Sequence, residues 1–502
     1  MAGFKADGTK EPGINGYWYQ LEFHQNDTIT NFADRKESCT GYYLIDGSLL
    51  EKMVEETASV EYTLEGASHY EDDFEIPGGG DDMGGSDPGV TISREEAIKI
   101  QQTKVEGLKL DMSRGKPAPK QLDLTNGILT CLSEEDYRAE NGLDCRNYGC
   151  LDGLPEAKAF FAPMLGVKPE DVIVCGNSSL NIMYWAMSLA MTNGVMGSKP
   201  WGKYDKVKVL CPVPGYDRHF AVSQFLGMEL VNVPMKEDGP DMDIVEKLVA
   251  EDDTIKAIWC VPMYSNPGGV VYSDEVVKRF AALKPKAKDF RIFWDNAYCV
   301  HHLVDNPPVQ ANLLEEARKV GNEDICYMFA STSKITHPGS GIAMIAASEN
   351  NLKYLKNALG FSTIGYDKLN QLRHLRFFGG KFENLVAHMK KHKALIAPKF
   401  RIVENTLERE LADLGIASWS NPQGGYFISF NQKGCAKRIV QLCKEAGVVL
   451  TGAGASFPYG VDPEDENIRI SPTFPTEEEL QKAMEVFVCS AKLAAAEQAL
   501  AK

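Results

Sequence analysis

Lys334 is the residue of this sequence whose surroundings first suggest chemistry. It lies in ASTSKITHPGSG, residues 330–341, among small residues and just ahead of a proline and two glycines. Apolar runs at 325–330 and 341–348 flank this stretch, so we expect Lys334 in a loop between two strands. An amine held there out of bulk water has a lowered pKa and can attack a carbonyl carbon. The alternative is a surface lysine in a polar turn, because lysine is rarely buried.

Four further polar stretches follow apolar runs in the same way. They read CGNSSL at 175–180, PVPGYDRHF at 212–220, MYSNPGG at 263–269 and WDNAYCVHH at 294–302. In open α/β sheets, ligands bind in the crevice at the carboxyl ends of the strands. Five such loops therefore predict one crevice that brings a lysine together with carboxylate, aromatic and hydroxyl side chains.

Alternating strands and helices are the elements that must position these loops. From about residue 150, apolar runs such as DVIVCG and KVKVLCPV alternate with helical patterns such as SLNIMYWAMSLAM and DEVVKRFAALK. Strands that are apolar throughout, separated by amphipathic helices, are typical of a mostly parallel sheet covered on both faces. The sequence therefore predicts an α/β fold.

The pattern changes along the chain and predicts three regions. Residues 1–90 form an N-terminal extension with an acidic, glycine-rich linker at 71–89, and we assign this extension no function. Residues 151–374 form a large domain. Long helices predominate after residue 375, so we expect residues 375–502, completed by 91–150, to form a smaller α+β domain.

Composition limits the classes of function. Of the 502 residues, 44% are hydrophobic and 25% charged, as in ordinary globular proteins. A net charge of −17 argues against nucleic acid as a partner, because phosphate binding needs a basic face. No apolar stretch of about 18 residues is present, which argues against a membrane partner and favours a cytosolic protein. The 12 cysteines contain no CxxC pair, which favours reduced, buried thiols over a disulfide framework or a metal site.

The ordered residues of these loops resemble those of the fold type I pyridoxal-phosphate enzymes, specifically the class I aminotransferases related to aspartate aminotransferase. The resemblance covers roughly residues 105–490 and rests on Tyr148, Gly176, Tyr216, Asn266, Asp295, Tyr298, Lys334 and Arg469. The stretches LDMSRGKPAPKQLDL and STSKIT look like a bacterial branch of these transaminases. The resemblance implies pyridoxal 5'-phosphate as cofactor. It also implies transfer of an amino group from an amino acid, aspartate or glutamate, to a 2-oxo acid in ping-pong half-reactions.

The resemblance also implies roles for the residues around the cofactor ring. Lys334 would form the Schiff base and move a proton, and Asp295 would pair with the protonated pyridine nitrogen. Tyr298 and Asn266 would donate hydrogen bonds to the phenolic oxygen of the ring. Tyr216 would stack on the ring.

His219 would support Asp295 from behind, with a core histidine as the alternative. For the cofactor phosphate, the resemblance assigns Gly176, Asn177 and Ser178 at a helix start, together with Ser331.

Tyr148, in NYGCLDGLPEAK, matches a tyrosine that reaches the phosphate of the neighbouring subunit, so the expected active unit is a homodimer. One position departs from the family pattern. Class I members usually carry an arginine seven or eight residues after the lysine, where this chain has Gly341 and Ile342. Either His337, Thr336 or a distant arginine supplies that charge, or neutral donors and the helix dipole hold the phosphate.

Arg469, in ENIRISPTF, matches the arginine that binds the substrate α-carboxylate with a bidentate fork. A dicarboxylic substrate needs a second cation, and SRGKP at 113–117 offers Arg114 for it. Gly115 would let the backbone approach closely. The alternative for Arg114 is a structural salt bridge.

Two other functions stay open at this point. The same cofactor and fold also serve β-elimination and decarboxylation, because fold does not set reaction type. A transcription regulator that uses this fold as an effector sensor would need a basic winged-helix module, which the acidic residues 1–90 do not resemble.

Overall fold

The computed structural model describes residues 109–500 in full and, nearer the N-terminus, the backbone of four short strands. These strands form two antiparallel pairs: β1 (Gly3–Phe4) with β2 (Lys10–Glu11), and β3 (Tyr19–Phe23) with β4 (Cys39–Tyr43). The chain divides into two compact units, Met1–Ser86 and Asp87–Lys502. The predicted linker at 71–89 and the segment 91–108 lie outside the described residues. The assignment of 151–374 to a separate large domain stays a prediction.

An eight-stranded sheet forms the centre of the second unit. In spatial order its strands are β6 (Val172–Cys175), β13 (Ala343–Ala347), β12 (Cys326–Ser331), β11 (Arg291–Asp295), β10 (Ile255–Cys260), β7 (Lys208–Val213), β8 (Glu229–Lys236) and β9 (Gly239–Pro240). Neighbouring strands from β12 to β8 are parallel, whereas β13 is antiparallel to both of its neighbours and β9 to β8. The predicted α/β fold with a mostly parallel sheet is confirmed.

The sheet has a hydrophobic core on each face, as the strand β12 illustrates. Cys326, Met328 and Ala330 belong to one core, and the intervening Tyr327 and Phe329 belong to the other. Successive side chains of a strand point to opposite faces, so a strand that is apolar throughout needs cover on both sides.

Helices supply that cover and continue into the C-terminal region. Within residues 109–500 they are α1 (Pro119–Asp123), α2 (Pro155–Leu165), α3 (Ser179–Asn193), α4 (Asp217–Phe225), α5 (Met242–Glu251), α6 (Asp274–Ala281), α7 (Leu313–Lys319), α8 (Glu349–Leu359), α9 (Lys368–Phe377), α10 (Phe382–Leu411), α11 (Ala436–Glu445) and α12 (Glu477–Leu500). Several begin at a side chain that accepts a hydrogen bond from the first turn, such as Ser178 of α3, Asp241 of α5 and Ser273 of α6. These caps satisfy amide groups that have no partner inside the helix.

A third hydrophobic core lies among the C-terminal elements. Its sheet contains β14 (Ser418–Trp419), β15 (Ile428–Asn431) and β17 (Asn467–Ile470), all antiparallel. A separate pair joins β5 (Leu110–Asp111) to β16 (Val448–Val449) in parallel. This pairing joins the chain after residue 109 to the C-terminal elements, and the bounds of the smaller domain stay a prediction.

Two predictions from composition concern the described part of the chain. Cys175, Cys211, Cys260 and Cys326 are buried free thiols in strands of the central sheet. Among the helices of residues 109–500, none combines the length and apolar character needed to cross a bilayer. The cytosolic location stays a prediction.

Candidate active site

A cavity of about 210 Å³ lies at the carboxyl ends of β6, β11 and β12. Seven of the residues proposed from the sequence line it: Ser178, Tyr216, Asn266, Asp295, Tyr298, Ser331 and Lys334. They come from five loops that are far apart in the sequence. The topology brings these loops together because the strands that precede them run in the same direction and end at one edge of the sheet.

Lys334 lies in the connection between β12 and the antiparallel β13, as the flanking apolar runs predict. The amides of Ile335 and Thr336 both donate to the carbonyl of Thr332, which makes the connection a tight turn. The Nζ of Lys334 lies 4.9 Å from the ring centroid of Tyr298. Burial lowers the pKa of the Lys334 amine, and the charge of Asp295 partly opposes this shift. The lysine faces the cavity and is half-buried, so it is not a surface lysine.

Asp295 ends β11 and is buried. Its Oδ2 lies 3.0 Å from Nε2 of His219, whereas its Oδ1 has no hydrogen-bond partner among the described residues. The ring of His219 stacks on Trp259, with centroids 4.3 Å apart and planes 9° apart. A buried carboxylate oxygen without a partner is costly, so this geometry suits a positively charged N–H donor from a bound molecule.

Three polar and aromatic residues surround the space between Lys334 and Asp295. Tyr298 and Asn266 are buried in its wall. Burial raises the pKa of the Tyr298 phenol well above its usual value, so Tyr298 stays protonated and can donate. Burial likewise raises the pKa of Tyr216 to about 12. The ring of Tyr216 meets His219 edge-on at 4.9 Å.

Serine hydroxyls are concentrated on the β6 and β12 side of the cavity. Ser178 and Ser331 were predicted, but Ser179 and Ser333 also line the cavity and were missed. The Oγ of Ser331 donates to that of Ser333 at 3.0 Å, and the Oγ of Ser333 donates to the carbonyl of Asn177 at 3.4 Å. We call Ser178, Ser179, Ser331 and Ser333 the serine cluster. It lies at the N-terminus of the 15-residue helix α3, where backbone N–H groups favour an anion.

Gly176 and Asn177 do not line this cavity but shape the turn that leads to Ser178. Gly176 has φ of 58°, a left-handed conformation that favours glycine. Asn177 is exposed, and its Nδ2 donates to the carbonyl of Gly339 at 3.4 Å. Both residues therefore shape the loop before α3, and their predicted contact with a phosphate stays a prediction.

The position of the usual family arginine is filled by backbone packing. A Cβ on Gly341 would lie 2.8 Å from the carbonyl oxygen of Asn177, so no side chain fits there. Neither of the two nearby substitutes lines the cavity: His337 lies 3.3 Å from the carbonyl of Leu122, and Thr336 bonds within its own turn and to a histidine of α9. Lys334 is the one cationic residue among those lining the cavity. Neutral hydroxyls and the amides at the start of α3 are the donors at the cavity itself, and Arg373, in a neighbouring cavity lined also by Gly176 and Asn177, keeps the alternative of a distant arginine open.

Arg469 lies on β17 and is buried. Its Nη1 donates to Oδ1 of Asp217 at 2.7 Å and to Oδ1 of Asn266 at 3.3 Å. Its Nη2 donates to Oγ1 of Thr451 at 3.4 Å, and its guanidinium lies 4.9 Å from the ring centroid of Phe427. The contact with Asn266 places Arg469 directly behind the cavity wall.

Gly115 and Arg114 are neighbours in the sequence but lie in different surroundings. A Cβ on Gly115 would lie 2.3 Å from the ring of Phe427, so the backbone does approach a neighbour closely at this glycine. The neighbour is the same phenylalanine ring that contacts Arg469. Arg114 is exposed and does not line the cavity. Arg114 forms no ion pair within residues 109–500. No residue in that range therefore makes the structural salt bridge that was the alternative role for Arg114.

Tyr148 is 77% exposed and does not line the cavity of its own chain. Its amide donates to the side chain of Asn147, and its own side chain is exposed to solvent. The structure therefore brings together seven of the predicted residues in the cavity wall, places His219 and Arg469 directly behind it, and leaves Tyr148 and Arg114 outside.

Comparison with known proteins identifies the class that this fold and site define. Residues 86–502 match the family described as aspartate amino-transferase, and the chain belongs to that family. An aspartate aminotransferase of Corynebacterium glutamicum is 44% identical over 401 residues, which are 80% of this chain and 92% of that protein. The crystal structure of an aspartate transaminase from the same species matches with a TM-score of 0.79 at 44% identity, over 80% of this chain and 95% of that one.

A more distant structure agrees in fold. The α-aminoadipate aminotransferase of Thermus thermophilus, complexed with N-(5'-phosphopyridoxyl)-L-leucine, matches with a TM-score of 0.62 at 21% identity, over 81% of this chain and 97% of that one. The chain is thus a fold type I aminotransferase, and the predicted family and enzyme class are confirmed. Its substrates are by class an amino acid and an oxo acid.

Proposed function

We propose that this chain uses pyridoxal 5'-phosphate to transfer the amino group of aspartate or glutamate to a 2-oxo acid in two half-reactions. The observation that carries the proposal is the pair formed by Lys334 and Asp295. An amine of lowered pKa faces a cavity in which a buried carboxylate oxygen, Oδ1 of Asp295, has no partner among the described residues. The bound cofactor would supply a carbonyl carbon for the amine and a pyridine ring that withdraws electrons from the substrate Cα.

Lys334 is the nucleophile and the proton carrier in this proposal. Its lowered pKa keeps a larger fraction of the amine neutral, which is the form that attacks a carbonyl carbon. With the substrate bound, the free Nζ of Lys334 would serve as the base that takes the proton from the substrate Cα and as the acid that gives it back.

Asp295, supported by His219, would hold a proton at the pyridine nitrogen. The free Oδ1 of Asp295 would accept that N–H, while His219 occupies Oδ2 at 3.0 Å and keeps the carboxylate oriented. At an effective dielectric near 20, a charge pair about 4 Å apart contributes about 4 kcal/mol, which is enough to retain the proton at neutral pH. Tyr298 and Asn266 would hydrogen-bond the phenolic oxygen, and Tyr216 would cover one face of the ring.

The serine cluster would hold the cofactor phosphate. Four hydroxyls and the amides at the start of α3 are donors that a phosphate needs, and the positive end of the helix dipole adds to them. In a homodimer, the exposed phenol of Tyr148 would provide a further donor to the site of the partner subunit.

Arg469 would bind the substrate α-carboxylate, since it is a buried guanidinium that contacts Asn266 of the cavity wall. Arg114 would bind the distal carboxylate of aspartate or glutamate. Two facts support this specificity: Arg114 is exposed with no ion pair to another described residue, and the 44% identical relative is an aspartate aminotransferase.

A spectral titration of the purified protein tests the proposal. We expect an absorbance band of the cofactor bound to Lys334, its loss when aspartate or glutamate is added, and its return when a 2-oxo acid is added. Release of pyruvate or ammonia without that cycle would instead indicate a lyase. A protein that shows no cofactor band after incubation with pyridoxal 5'-phosphate would refute the proposal.

A further inference from the structure

Arg469 already holds a carboxylate of its own chain. Asp217 directly follows Tyr216 and is the first residue of α4. Its Oδ1 lies 2.7 Å from Nη1 of Arg469, which is a short, charge-assisted hydrogen bond. The group that occupies the proposed carboxylate-binding arginine is therefore itself a carboxylate, 252 residues away in the sequence.

The two sides of this ion pair are held very differently. The side chain of Arg469 is 7% exposed and has further contacts to Asn266, Thr451 and Phe427. The side chain of Asp217 is 33% exposed, and within residues 109–500 the bond to Arg469 is its one side-chain hydrogen bond. If the pair separates, Arg469 stays in place and Asp217 moves.

We propose that Asp217 competes internally with the substrate α-carboxylate: it occupies Arg469 in the empty site and gives way when substrate binds. This inference rests on the proposed role of Arg469. Two carboxylates that share one guanidinium repel each other. The entering substrate carboxylate therefore weakens the bond between Asp217 and Arg469. The released Asp217 remains at the N-terminus of α4, where the helix dipole favours a negative charge.

As a consequence, the enzyme binds its substrates less tightly than it would if no carboxylate of its own chain occupied Arg469. Every amino acid and 2-oxo acid that enters must separate the Asp217–Arg469 pair, so each loses part of its binding free energy. The same competition returns the carboxylate of the product to solvent. Asp217, the more exposed member of the pair, thus lowers the affinity of the site for carboxylates.

Asp217→Asn tests this competition, because asparagine keeps the size and one acceptor oxygen but removes the charge. Succinate, a carboxylate that cannot be transaminated, is titrated into the holoenzyme and followed calorimetrically. A partly exposed ion pair contributes up to about 1 kcal/mol, so we expect the Kd to fall about fivefold. The KM values for the amino donor and the 2-oxo acceptor should fall in parallel.

Asp243→Asn is the matched control. Asp243 lies in the first turn of α5 and pairs with Arg279 at 2.6 Å, away from the cavity. Its replacement should leave the Kd for succinate unchanged. A Kd that rises or stays the same in Asp217→Asn would overturn the inference, because Asp217 would then orient Arg469 or have no influence on it.

Arg469→Lys separates this inference from the proposed function. Lysine keeps a positive charge but loses the bidentate fork, so succinate should bind at least about tenfold more weakly. In that background, Asp217→Asn should no longer improve binding, since the two residues act through one contact. Unchanged binding in Arg469→Lys would show that Arg469 is not the carboxylate site, whatever Asp217 does.

Discussion

His219 occupies one oxygen of Asp295 and leaves the other free. The Nε2 of the histidine lies 3.0 Å from Oδ2, and Oδ1 has no partner among the described residues. Because His219 is itself stacked on Trp259, the carboxylate cannot turn its free oxygen away without losing a buried hydrogen bond. The orientation of Asp295 is therefore established before any cofactor enters.

Replacement of Asp295 tests this arrangement. We expect Asp295→Ala to bind pyridoxal 5'-phosphate more weakly and to lose most of its rate, because a charge pair of about 4 kcal/mol corresponds to about a thousandfold. Cofactor affinity is measured by absorbance titration of the apoenzyme and rate by stopped-flow. Full activity with an unchanged cofactor spectrum would show that the pyridine nitrogen pairs elsewhere.

Loss of Lys334 should abolish multiple turnover. We expect Lys334→Ala to be at least about a thousandfold slower, because both imine exchange and proton transfer depend on the same amine. Circular dichroism should show an unchanged fold. Lys353→Ala, at an exposed lysine of α8, serves as the control and should keep its rate. Turnover near that of the wild type in Lys334→Ala would contradict the assignment.

The lowered pKa of Lys334 also predicts how the stability of the apoenzyme depends on pH. Burial lowers this pKa below its usual value of 10.5, so between the two values the unfolded chain binds a proton that the folded chain does not. We therefore expect Lys334→Met to raise the free energy of unfolding at pH 7, and the gain to shrink as the pH approaches 10.5. Urea unfolding of both apoenzymes at pH 7 and 10 measures this. A gain that is independent of pH would mean that packing, and not the charge, is responsible.

Arg114→Ala tests the specificity for dicarboxylic substrates. A hydrogen bond to a charged group contributes about 1.5–3 kcal/mol, so the KM for aspartate or glutamate should rise about tenfold to a hundredfold. The KM for an uncharged amino acid should change little, which makes it the internal control. Equal effects on both substrates, or a wild-type preference for alanine or an aromatic amino acid, would remove Arg114 from this role.

The positions of the loops could be predicted from the sequence, because each follows an apolar strand. Lys334 and Asp295 meet in one cavity because β11 and β12 are parallel neighbours, and the continuous apolar runs of both strands indicate such a sheet. No comparable feature of the sequence indicates that β13 is antiparallel, because its apolar run would have the same length and composition for either strand direction.

The contact of His219 with Asp295 was expected from the family resemblance, but other contacts between distant residues could not be predicted. Nothing in the sequence near Asp217 indicates that its carboxylate meets Arg469, because the pairing depends on how the C-terminal elements lie against the large sheet. Ser333 was missed for a related reason. Its position one residue before Lys334 is visible in the sequence, but the direction of its hydroxyl depends on the turn that brings it to Asn177.

The close contact at Gly341 couples two turns that lie far apart in the sequence. In this chain an arginine at position 341 cannot be accommodated without a shift of the backbone, because even its Cβ would lie 2.8 Å from the carbonyl oxygen of Asn177 and 3.2 Å from Oγ1 of Thr332. The next position, Ile342, is buried and its amide bonds to Thr332. A side chain at this position would require the turn before α3 and the turn after Lys334 to change together.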